Sequence, residues 1–186
     1  NSSDIVVMSD YAKGTLSKEL IKKIISHCRE NKKAIIIDPR PEHALCYKNS
    51  SFITPNFEEV CKMIKLDTNS TELNAKNAKK LAMKLYNKLN SAVVLTMSEQ
   101  GIFFYSSSKA RHFPTFKREV RDVAGAGDTV VAALAVSLAN ELKIVEAIYF
   151  ANHAAGVKVE KSMVQPVSLE EVINDIELHN DKQKVI

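Results

Sequence analysis

Apolar residues in this chain alternate between two patterns: short unbroken runs, and longer stretches in which they recur every three or four positions. DIVVMSD (4–10) is a run bounded by polar residues. The LSKELIKKIISHC stretch behind it places Leu16, Leu20, Ile21, Ile24 and Ile25 on one stripe, the mark of an amphipathic helix. AIIID (34–38) is stopped by Pro39 and Pro41, and SFIT (51–54) by Pro55, so both read as buried strands whose C-terminal ends open into loops. A second helix begins near Asn56 and a third fills 71–90. SAVVLTM (91–97) is the next strand, GIFFYSS (101–107) pairs with it as a hairpin, and ARHFPTF (110–116) reads as an edge strand. From residue 126 the chain turns helical: AGDTVVAALAVSLAN, KIVEAIYFANHAAGVKVEK, then SLEEVINDIEL. Repeated strand, crossover helix and strand predict an α/β fold with a mostly parallel sheet and helices on both faces. No repeat, low-complexity block or linker divides the chain, so 1–186 reads as a single domain.

Composition narrows the class. The 186 residues are 45% hydrophobic and 26% charged, which excludes disorder, collagen-like repeats and a disulfide-stapled mini-protein. The longest apolar runs, such as VVAALAVSLA at 130–139, fall far short of a bilayer span, and no leader opens the chain. A cytoplasmic protein without a membrane partner is expected. The net charge of +4 comes from scattered lysines with few interleaved aromatics, so nucleic acid is not expected as a partner. KKIISHCRENKK (22–33) and KNAKKLAMKLYNK (76–88) read as solvated helix faces, and a phosphate-bearing small substrate is the economical use of any positive excess. Cys28, Cys46 and Cys61 form no CxxC pair and are odd in number, which points to reduced thiols rather than disulfides or zinc.

Glycine supplies the sharpest signal. Two of only five glycines, Gly125 and Gly127, sit in DVAGAGDTV (122–130), directly before the most alanine-rich helix. Small residues let a ligand approach the backbone, and a helix N-terminus offers unpaired N–H groups with a partial positive charge, a combination suited to phosphate. Asp128 heads the same helix, where it either accepts a proton from a substrate hydroxyl or caps the helix. The loop is neither GxxxxGK[ST] nor a dinucleotide fingerprint.

DVAGAGD followed by TVVAALA resembles the C-terminal signature of the ribokinase/PfkB sugar-kinase family. TPNFEE (54–59) resembles its N-x-x-E element, LTMSEQG (95–101) its nucleotide-side strand and turn, and FANHAAGVKVEK (150–161) the helix beside its adenine pocket. With SDYAKG (9–14) and IDPR (37–40), the likeness is greatest to the heptose 7-phosphate kinase branch and spans residues 4–161. The resemblance implies a three-layer α/β/α ribokinase-like fold and ATP-dependent phosphorylation of a sugar or sugar-phosphate hydroxyl. A different sugar kinase of the family, or a nucleotide-binding remnant without turnover, stays open beside it. Asp128 would be the base, and the backbone N–H groups of Gly125, Ala126, Gly127 and Asp128 the anion hole. Asn56 and Glu59, at i and i+3 on one helix face, would hold Mg²⁺ through water; otherwise Glu59 only complements the helix N-terminus. Thr96, Ser98, Glu99 and Gly101, at the C-terminal end of a strand, and Asn152 are the nucleotide-side candidates, although Asn152 also reads as a polar residue inside a packed Ala-rich helix. Asp10, Lys13 and Arg40 follow strands and meet the sugar or its phosphate, or else are ordinary surface charges. In some members the acid corresponding to Asp122 helps shape a monovalent-cation site, so such a cation stays open as a cofactor beside ATP and Mg²⁺.

Departures from the family pattern matter equally. Its glycine-rich opening motif, lid and most sugar contacts are not visible here, so the chain reads as a C-terminal portion. The G-K-x-G-T turn of the adenine pocket is replaced by Glu160, Lys161, Ser162, Met163 and Val164, and Ala124 stands where a hydroxyl residue is frequent. Nothing after residue 161 resembles a nucleotidyltransferase. An uncovered DIVVMSD strand edge predicts a homo-oligomer or a missing partner segment.

Overall fold

The computed structural model describes residues 3–68, 71–163 and 165–183, with side chains through residue 179; Val164 of the altered turn lies outside the described residues. The chain divides into two compact units, residues 1–113 and 114–186.

The first unit is a six-stranded sheet of order β1-β2-β3-β4-β5-β6, formed by Ile5–Ser9, Ala34–Asp38, Phe52–Ile53, Ala92–Thr96, Ile102–Tyr105 and Ala110–Phe113. β1 to β4 are parallel, with Ile5 facing Ala34 and Phe52 facing Ala92. β4, β5 and β6 are antiparallel, the arrangement two short connections allow. Each strand lies where the apolar runs predict it, and β2 does so to the residue.

Helices α1 (Lys18–Glu30), α2 (Phe57–Ile64) and α3 (Ala75–Leu89) form because apolar stripes follow side-chain caps. The Ser17 hydroxyl accepts from the Leu20 N–H, and the Asn74 side chain accepts from the Asn77 N–H. Their buried residues, among them Ile21, Ile25, Val60, Met63, Leu81 and Leu85, share one core with Met8, Ile35, Ile37, Ile53, Val93 and Leu95 of the sheet. These sheet positions alternate along the strands, so all three helices lie on a single face of the first unit. Cys28, Cys46 and Cys61 are buried and free. β1 is a sheet edge with Val7 exposed.

A seven-residue 3₁₀ helix, Pro41–Tyr47, occupies the expected loop after β2. Pro41 sits at its start, where a missing N–H costs nothing.

The second unit is helical: α4 (Ala126–Ala139), α5 (Ile144–Val159) and α6 (Leu169–Gln183). Its polar centre is Asp175 of α6. Arg118 grips it with two parallel bonds, Nη1 to Oδ1 at 2.9 Å and Nη2 to Oδ2 at 2.7 Å, and also reaches Glu160 at 3.3 Å. His153 of α5 approaches Oδ2 at 2.6 Å through Nδ1, and His179 lies 2.8 Å from the Asp175 carbonyl. Phe116 and Tyr149 pack against the His153 ring. The ligating atoms of His153, Asp175 and His179 lie within 4.8 Å of one another. Both Asp175 oxygens already accept from Arg118, however, so the cluster reads as an ion-pair hub rather than a cation cage. Among the described residues, no helix is long and apolar enough to cross a membrane.

Burial is the main influence on His153 and holds it below its ordinary value of 6.5, with Arg118 and His179 acting in the same direction and Asp175 opposing them. Burial pushes the Asp175 carboxyl up, but the bonds from Arg118 and His153 outweigh it and hold the group down. A depressed folded-state value means that the unfolded chain binds the proton first as pH falls. The stabilisation from neutral His153 is complete above 6.5 and is lost as pH drops through the lower folded value. The melting temperature should therefore fall between about pH 7 and about pH 5, and thermal melts of His153→Asn should show a smaller fall over that window.

Candidate active site

Gly125 is the N-cap of α4 and adopts a left-handed conformation, φ 78°, that a side chain would strain. The turn before it is held by the Asp122 carboxylate, whose Oδ1 accepts from the Ala124 N–H at 2.9 Å. The Arg121 and Asp122 N–H groups both donate to the Val159 carbonyl, at 2.8 and 3.2 Å, tying the loop to the end of α5. Helix bonding begins with the Thr129 N–H on the Gly125 carbonyl at 2.9 Å. Ala126 turns its N–H back to Val123 at 3.2 Å, whereas among the described residues the Gly127 and Asp128 N–H groups have no backbone acceptor. Gly127 is exposed, and among the described residues nothing beyond its chain neighbours and the helix's own backbone lies within 4 Å of where its Cβ would stand, so the head of α4 is open. Asp128 is the third residue of the helix; its carboxylate is exposed and has no partner among the described residues. Gly125 therefore takes the cap position that sequence reasoning weighed for Asp128. Asn152 is buried in α5 and donates from Nδ2 to the Pro114 carbonyl at 3.0 Å, so a backbone partner already engages its amide.

In the first unit, the candidates gather at the C-terminal ends of the parallel strands, where open sheets bind ligands. Asn56 and Glu59 form a complete capping box on α2: the Glu59 N–H donates to Asn56 Oδ1 and the Asn56 N–H to Glu59 Oε2, both at 2.9 Å. Glu59 Oε1 accepts from Arg40 Nη1 at 3.0 Å. Burial pushes the Glu59 carboxyl up, although its bond to Asn56 and the charge of Arg40 pull the other way. Two of its roughly four acceptor positions remain for water or a hydrated cation. Thr96 ends β4, its N–H bonded to the Pro55 carbonyl at 3.0 Å, which sets it beside Asn56. Ser98 and Glu99 lie exposed in a 3₁₀ turn that ends at Gly101, φ 86°.

Asp10 is not a surface charge. It is 1% exposed and accepts from the Tyr47 hydroxyl at 2.6 Å and the Ala12 N–H at 2.8 Å, with His43 Nδ1 at 2.7 Å. Burial raises its carboxyl, but these three partners outweigh burial and hold it below the ordinary range. Tyr47 is pushed up by burial and then by Asp10. Arg40 lies 5.6 Å over the Tyr11 ring, while Lys13 is exposed. His43 and Tyr47, which sequence reasoning passed over, complete this cluster; the only signal for them was Pro41, which starts the 3₁₀ helix carrying both.

Residues 1–171 match the profile of the pfkB family carbohydrate kinases. The chain is 37% identical over 170 residues to the bifunctional protein HldE of Sulfurimonas denitrificans, and 39% identical over 171 residues to that of Helicobacter pylori strain Shi470. Both alignments cover 91% of this chain but 35% and 36% of the relatives, so the chain spans about a third of their length. Phosphofructokinase-2 of Escherichia coli in complex with potassium superposes with a TM-score of 0.81 at 20% identity, over 94% of this chain and 56% of that one. A ribokinase of Thermotoga maritima gives 0.72 at 24%, over 94% and 57%. At these identities the likeness establishes a ribokinase-like α/β fold.

Tyr47→Phe deletes one bond to a buried carboxylate and should cost about 1–3 kcal/mol in urea unfolding. An unchanged midpoint would show that His43 and the backbone suffice for Asp10.

Proposed function

This chain belongs to the pfkB family of carbohydrate kinases, and we propose that it is the nucleotide-binding and catalytic portion of an enzyme moving the terminal phosphoryl group of ATP to a sugar hydroxyl. The observation that supports this best is the head of α4, where an exposed carboxylate stands directly beside N–H groups that have no backbone acceptor among the described residues. In this reading Asp128 takes the proton of the attacking sugar hydroxyl as the hydroxyl oxygen bonds to the γ-phosphorus and the bond from that phosphorus to the bridging oxygen breaks, releasing ADP. The Gly127 and Asp128 N–H groups, shaped by Gly125 and Ala126, hold the phosphoryl oxygens, and the positive end of the helix favours the charge there.

Mg²⁺, when bound, neutralises charge on the phosphates. Glu59 fits such an ion through water because it keeps acceptor capacity after forming its cap, and Asn56 holds it in place. Thr96, Ser98, Glu99, Gly101 and Asn152 are proposed for the nucleotide. Arg40 and Lys13 are proposed for a sugar phosphate, with Asp10 acting on that substrate through the fold it anchors. A heptose 7-phosphate converted to the 1,7-bisphosphate is the preferred substrate, on the strength of SDYAKG, IDPR and the AN-x-AAGV helix. The β1 edge is proposed to take a further strand, from a second copy or from another segment.

Calorimetric titration of Mg·ATP should show binding that Asn56→Ala weakens and Asp128→Asn retains. Transfer to heptose 7-phosphate should fall about 10²–10⁴-fold in Asp128→Asn. Transfer that survives that change would remove Asp128 as the base, and wild-type binding without transfer to any sugar phosphate would favour a nucleotide-binding chain that does not turn over.

A further inference from the structure

We propose that Lys158 is a phosphate-binding residue, its ammonium donating to an anion seated on the head of α4; this rests on the kinase reading above. Lys158 lies in the last turn of α5 and is 3% exposed. Its Cε stands 3.3 Å from where a Cβ on Gly125 would be, so its side chain lies against the N-cap of α4. The loop cannot easily move away, because two of its N–H groups are bonded to Val159.

The ammonium donates to the Met163 carbonyl at 2.9 Å, its only partner among the described residues, and no carboxylate pairs with it. One of three N–H donors is thus used. Lys161, three residues on, is paired with Glu171 at 2.6 Å. A buried cation without a counter-charge is costly, and this one lies beside the positive end of a helix whose Gly127 and Asp128 N–H groups have no backbone acceptor among the described residues. The Lys158 side chain and the head of α4 thus meet at Gly125, and among the described residues neither the ammonium nor the Gly127 and Asp128 N–H groups bond to a carboxylate. A phosphate oxygen would answer both.

Titrations of inorganic tripolyphosphate, Mg·ATP and adenosine into wild type, Lys158→Met and the exposed-surface control Lys143→Met separate the possibilities. Lys158→Met should weaken tripolyphosphate and Mg·ATP roughly ten- to hundredfold, the usual effect of losing a charge-assisted hydrogen bond, with adenosine unchanged and the melting temperature no lower. Lys143→Met should match wild type. Tripolyphosphate binding that is unchanged in Lys158→Met, or losses shared equally by adenosine, would overturn the proposal, as would a wild type that binds no tripolyphosphate. Lys158-dependent tripolyphosphate binding without Mg·ATP binding would sustain the anion site and overturn the kinase reading.

Discussion

Charge taken out of water must be answered within the protein, and that constraint organises both units of this molecule. In the first, buried Asp10 fastens the end of β1 to the 3₁₀ helix through Tyr47 and His43, so a segment without an apolar stripe of its own still takes a defined place. In the second, Arg118 and Asp175 bind the chain ahead of the glycine loop to α6, with His153 of α5 as the third member. Breaking a pair of this kind leaves an uncompensated charge, commonly a cost of about 3–5 kcal/mol, whereas the intact pair contributes much less. These networks therefore fix which elements meet more than they add to stability.

The capping box at Asn56 and Glu59 shows why structural and catalytic readings of a motif need not compete. One oxygen of Glu59 closes the helix and the other meets Arg40, which leaves the carboxylate rigid, partly desolvated and still able to accept. A group held this way loses little freedom when a cation arrives, since ordering has already been done by the fold.

Local patterns made most of the architecture legible. Apolar runs ended by proline marked β2 and β3, and apolar residues recurring every three or four positions marked α1. The glycine pair located the head of α4, although Gly125 rather than Asp128 turned out to be its cap, because only the smallest residue tolerates that left-handed turn. Contacts between distant positions were not legible. Tyr47 meets Asp10 across 37 residues, and His153 finds Asp175 22 residues away on another helix. Neither spacing follows a helix or strand period, so no pattern announces it. Nothing in the spacing of FANHAAGVKVEK marks Lys158 as the lysine that the packing of α5 puts inside.

Gly156 lies beneath the Arg118 guanidinium, so that a Cβ there would overlap Nε, Cζ and Nη2. Flexible arginine ends usually swing aside, but this one is pinned at both nitrogens by Asp175. The identities at 118, 156 and 175 are thus bound together across generations as well as in space. A lineage that enlarges residue 156 must first shorten residue 118, and having done so it leaves the acid at 175 to His153 and without its arginine. Drift at any one of the three should carry the others with it.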